Sequence, residues 1–134
     1  MLPETVTLHL PEALYRRLAN TARATQRSLA DVLLHAVRVG SPPTWEDVPP
    51  EFQPDLAQMD RLGDDELWNI VHLQEAEAGV SRYDELLERN QAGSLTDAER
   101  VELNNLRGAA DRLMLRKAHA AAMLRWRGHI VPMP

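Results

Sequence analysis

The sequence predicts a mostly helical chain. It opens on one short strand that pairs with the same strand of a second chain. Two helices follow, and then a small helical bundle with a long C-terminal helix. Three observations predict this. Residues 5–10, TVTLHL, alternate polar and apolar side chains. Apolar residues elsewhere recur every three to four positions. Five of the nine prolines, at 42, 43, 49, 50 and 54, fall in one short stretch that divides the chain.

In the first segment Val6, Leu8 and Leu10 share one face of an extended chain, and Thr5, Thr7 and His9 share the other. Pro11 has no N–H to donate, which ends a ladder and suits the start of a helix. No second strand-like run exists to pair with this one, so the expected partner is its own copy across a two-fold axis. A helix is predicted from there to about Ala24, with Leu14, Leu18 and Ala22 inward and Arg16, Arg17, Asn20 and Arg23 outward. Thr25-Gln26-Arg27 reads as a turn and Ser28 as the N-cap of the next helix. That helix carries Leu29, Val32, Leu33, Ala36 and Val37 on one stripe and ends at Gly40.

Strand, helix, turn and helix in this order resemble the ribbon-helix-helix family of the Arc/CopG type over residues 5–38. The likeness rests on TVTLHLP, on Leu14 and Leu18, and on QRSLADVLLHAV. It implies that Thr5, Thr7 and His9 read base edges in the major groove. It also implies that Arg27, Ser28 and Leu29, at the start of the second helix, hold a backbone phosphate. The chain departs from the family in two places. Its three ribbon positions carry threonine and histidine in place of the more usual Arg, Lys, Asn or Gln, and Gln26 stands where a glycine is common.

Residues 41–58 read as a proline-rich connector of extended, semi-rigid chain. Its Trp45 and Phe52, with Trp68 beyond it, are the expected anchors for a protein partner, the competing role being to pack on the chain's own helices. Asp64 is expected to cap a helix through Leu67, Trp68 and Val71 to about Ala78, broken by Gly79. A short helix then runs from Ser81 to about Gln91 and ends at Gly93. Thr96-Asp97-Ala98-Glu99 is a capping box. The long helix after it reaches towards Arg127 and stops at Gly128. Leu103, Leu106, Ala110 and Leu113 form its first apolar stripe, continued by Met114, Ala118, Ala121 and Leu124. Gly108 costs about 0.5–1 kcal/mol relative to alanine, so a kink or break would fall there.

Charge divides the chain. Residues 1–40 carry five arginines against Glu4, Glu12 and Asp31, a net +2; the whole chain is −5, which leaves −7 on the rest. A basic head on an acidic body suits a DNA-binding module joined to a separate interaction module. Aromatic residues are only 4% of the chain, too few for a single-stranded nucleic-acid platform. There is no cysteine, hence no disulfide framework or thiolate metal site. No signal-peptide pattern and no apolar run of membrane-spanning length are present, so a cytoplasmic protein is expected. The histidines at 9, 35, 72, 119 and 129 lack metal-ligand spacing, no phosphate loop or nucleophile triad is visible, and no cofactor is expected.

The expected organisation is a DNA-binding and dimerisation domain over 1–40, the connector over 41–58, a helical interaction domain over 59–128 and a tail over 129–134. The expected function is a sequence-specific transcriptional repressor, a homodimer or larger assembly on operator DNA, and by analogy of architecture the antitoxin of a bacterial toxin–antitoxin pair. It is not expected to be an enzyme. The alternative is a structural adaptor, in which the ribbon only joins two chains and the tail recruits a partner.

Overall fold

The computed structural model describes residues 3–74 and 77–132. They form six α-helices and one 3-10 turn: α1 (Glu12–Thr25), α2 (Leu29–Gly40), the turn Pro50–Phe52, α3 (Gln53–Met59), α4 (Asp64–Val71), α5 (Glu77–Gln91) and α6 (Asp97–Trp126). The chain divides into two compact units, Met1–Ser41 and Pro42–Pro134.

The predicted fold class is corrected at its start. The described residues contain no strand, and residues 5–10 run irregularly into α1, so the ribbon of a ribbon-helix-helix fold is absent. The physical reason lies in the ladder. Alternation lets a segment present two faces, but a strand also needs a neighbour for its N–H and C=O groups, and none of the described residues supplies one.

The first unit is α1 packed on α2. Gln26 closes α1 in the left-handed conformation, φ 55°, and the amides of Gln26 and Arg27 turn back to the carbonyls of Arg23 and Ala22 at 3.2 and 3.0 Å. This is the exit a glycine usually makes, here made by a residue with a Cβ. Ser28 caps α2, its Oγ accepting from the Asp31 amide at 3.0 Å. Ala22 is the one buried side chain of this unit among the described residues.

The second unit is built on α6, which runs about 45 Å as one helix through Gly108, with no break. Thr96 and Glu99 close its capping box in both directions. Towards its start, α5 lies alongside, with Leu86 and Leu103 buried and Arg82 held by Glu102 at 2.7 Å. Arg89 pairs with Glu99 nearby. Towards its end, α3 and α4 cover the other length of α6, and Leu56, Met59, Leu67, Ile70, Ala120, Met123, Leu124 and Val131 form the core.

Four further expectations change here. The connector is not extended chain throughout: Pro50 opens the 3-10 turn and Pro54 stands in the first turn of α3, where a missing N–H costs nothing. The helix from Asp64 stops at Val71, not near Ala78, and Gly79 lies inside α5 instead of breaking a helix. Gly63 is the N-cap of α4, so Asp64 is free for other bonds. The second half of α6 buries only part of the expected stripe, with Leu124 inside and Ala121 half-buried. His119, Ala120, Met123 and Leu124 are inside, while Met114 and Ala118 are exposed.

Candidate interaction surfaces

In the first unit Thr5, Thr7 and His9 are all exposed, as are Arg27 and Ser28, and Leu29 is half-buried at the start of α2. Among the described residues no hydrogen bond or ion pair joins the first three to the last three. Arg27, Ser28 and Leu29 are contiguous at the α1–α2 turn. The Ser28 cap consumes the Asp31 amide, and the Asp31 carboxylate lies in the same first turn. The amides of Leu29 and Ala30 remain free, so two donors of the helix start are open.

The cations of this unit differ in how they are engaged. Arg16 pairs with Glu12 at 2.7 Å, and Arg23 donates to Asn20 at 2.8 Å. Arg17, Arg27 and Arg38 are exposed and have no partner among the described residues. Around them lies apolar surface without cover: Val6 is 84% exposed, Leu8 71%, Val37 61% and Val39 72%, with Leu14, Tyr15 and Leu34 also outside.

In the second unit the three predicted aromatic anchors are largely used at home. Trp45 and Trp68 pack against the core, both half-buried. Phe52 lies under the Arg112 guanidinium, 5.9 Å from its carbon. Trp68 also stacks on His72 at 5.8 Å and meets His129 edge-on at 6.2 Å.

A polar cluster that the sequence did not reveal fastens this core. His119, buried on α6, places Nε2 2.7 Å from Asp60 Oδ1, and the other oxygen of Asp60 accepts from Trp45 Nε1 at 3.1 Å. Asp64 accepts from Arg127 at 2.8 Å and meets His129 Nε2 at 2.7 Å. Hydrogen bonds from Arg127 and His129 hold the Asp64 carboxyl below its ordinary range, outweighing the opposite pull of desolvation. The α3–α4 corner is thereby tied to the end of α6 by partners about sixty residues away. The only sequence signal was the presence of histidines and aspartates, with nothing in their spacing to join them. Among the described residues no three His, Cys, Asp or Glu side chains gather as metal ligands would. His72 and His119, which could have met, instead engage Trp68 and Asp60.

A concave surface lies open on the second unit. A groove of about 730 Å³ runs beside α6, floored by Ala110, Leu113, Met114, Ala118 and Ala121 and walled by Val71, Leu73 and Val131. Its polar members are His72, Lys117 and Arg125. No helix among the described residues is long and apolar enough to cross a membrane. The chain matches no family model, no curated protein and no solved structure.

Proposed function

We propose that the chain is a two-part DNA-binding regulator. Its first unit associates with a second copy and binds operator DNA, and its second unit binds a protein. The observation that carries this reading is the contrast in self-sufficiency and charge. A basic unit of about forty residues with a single buried side chain cannot offset the entropy of its own folding, and association is the ordinary remedy. The uncovered Val6, Leu8, Leu34, Val37 and Val39 are the surface for it. A second copy doubles the number of unpaired guanidiniums, which suits a duplex with two-fold symmetry.

The DNA assignment thus rests on charge and surface, without a strand. Thr5, Thr7 and His9 are proposed to contact bases, and Arg27 with the open amides beside Ser28 and Leu29 to contact phosphate. The repressor, and the antitoxin of a toxin–antitoxin pair, is the specific form we favour, in a reducing cytoplasm. The cysteine-free sequence suits that compartment.

Fluorescence anisotropy with a duplex from upstream of its own gene, paired with light scattering, tests this. A dimer is expected that prefers that duplex to a scrambled one, with affinity falling as salt rises. Replacing Thr7 and His9 by alanine is expected to weaken the preference by about 1–3 kcal/mol per lost base contact while the dimer persists. A folded monomer at micromolar concentration would overturn the association. A dimer that does not distinguish the two duplexes would overturn the DNA reading and leave the adaptor.

A further inference from the structure

α6 carries more apolar circumference than its own unit covers. In its second half, one face is buried by α3 and α4 through His119, Ala120, Met123 and Leu124. The adjoining face, with Leu113, Met114, Ala118 and Ala121, is the floor of the open groove. A helix apolar over so wide an arc is the kind that is normally packed on two sides. The alanines in the floor leave no side chain in the way of a close helix approach.

Charge selects what can fill it. The second unit is strongly acidic, yet among the described residues no Asp or Glu lines the groove; its ionic members there are Lys117 and Arg125. Lys117 is half-buried and has no ion pair or hydrogen bond among the described residues, so its ammonium stands at the groove without a counter-charge. It sits near the middle of the groove, which spans Ala110 to Arg125, about 22 Å or four helical turns. A second copy docked here by a two-fold axis would bring two Lys117 ammonium groups together, which disfavours self-association at this face.

We infer that this groove is the docking site for an amphipathic helix of a protein partner, about four turns long, with an apolar stripe and a carboxylate near its midpoint that pairs with Lys117. The inference rests on the reading of the second unit as the protein-binding half. It does not depend on whether the first unit binds DNA. It moves the contact surface from Trp45 and Trp68, which serve the core, to a surface with nothing yet upon it.

The test is a selection of displayed sixteen-residue helical peptides on the full chain, the enriched peptides then being measured on Ala118→Arg. Position 118 is exposed and arginine is a good helix former, so the variant keeps its fold, which a thermal melt checks. Met114→Glu, also at an exposed position, serves as a second block. Enriched peptides are expected to share apolar residues at i, i+3 or i+4, and i+7 with a central Asp or Glu. The best of them is expected to lose at least about tenfold in affinity for Lys117→Glu. Three results overturn the site. One is enrichment of peptides with a central Lys or Arg. Another is binding indifferent to Ala118→Arg and Met114→Glu, which would leave a protein-binding role elsewhere on the unit. The third is an oligomer whose mass falls in those variants, which would make the groove a self-interface. DNA binding measured on the same samples reports separately on the first unit.

Discussion

The two units of this chain treat apolar side chains in opposite ways. The second gathers Leu56, Met59, Leu67, Ile70, Met123 and Leu124 from three helices into one core and locks its corner with Asp60, Asp64, His119 and His129. The first buries Ala22 and leaves Val6, Leu8, Val37 and Val39 in water. The difference teaches that helix formation and fold stability are separate achievements. Both units have capped helices, Ser28 on α2 and the Thr96–Glu99 box on α6, but the second brings more apolar side chains out of water.

The largest test of this comparison is a paired truncation. Leu124→Ala, at a fully buried position, is expected to destabilise the second unit by about 2–5 kcal/mol, seen as a lower denaturant midpoint. Leu34→Ala, at a position 49% exposed, is expected to leave that transition unchanged and to weaken self-association about tenfold, read by sedimentation. If Leu34→Ala shifted the same transition as Leu124→Ala, the two units would be one cooperative body.

A smaller change sharpens the first half. Gln26 holds a left-handed backbone at φ 55°, a conformation that disfavours any residue with a Cβ. Gln26→Gly relieves that strain, though glycine also loses more freedom on folding. A net gain of about 0.5–1 kcal/mol is expected in the first unit's transition, with the second unit's unchanged.

The smallest effect concerns acid. The Asp64 carboxyl is depressed in the folded chain, so the stability it contributes is present above its ordinary value near 3.8 and is lost as pH falls through the lower folded value. Glu99, held down first by the Thr96 amide, and Glu102, held down by Arg82, act in the same direction from 4.5. Melting followed by circular dichroism from about pH 5 to about pH 2 is expected to show the second unit weakening in that window. Asp64→Asn is expected to make the decline shallower. The Asp64 and Glu102 side chains are well exposed, which keeps their share of the effect modest.

What the sequence made legible was local. Ser28, the Thr96–Glu99 box and the ends near Gly40, Gly93 and Gly128 are each decided by two to four neighbouring residues, and each cap or end lies where those residues point. What it hid was pairwise at a distance. The alternation of residues 5–10 could not show that no ladder partner exists within the chain. The fusion of Asp60 with His119 has no local sign. The face of α6 is legible only in part because His119 and Arg116 look like surface residues until a carboxylate meets each; Asp55 accepts from Arg116 at 2.6 Å. Gly79, expected to break a helix, and Gly108, where a kink or break would fall, both sit within continuous helices, since an intrinsic cost of about 1 kcal/mol per glycine does not by itself end a long helix.

The unbroken course of α6 has a consequence for how the second unit opens. Its backbone is one hydrogen-bonded rod, but its supports are two. The rod leans on α5 near Leu103 and on α3 and α4 from Arg116 to Leu124, while Asn104, Asn105, Arg107, Gly108 and Ala109 between them face water. Such a middle has little to lose by parting from its ladder. Amide hydrogen exchange is therefore expected to be fastest around Gly108, with each end protected by its own neighbours. A helix continuous in shape would then be divided in cooperativity, with the seam beside the near end of the open groove.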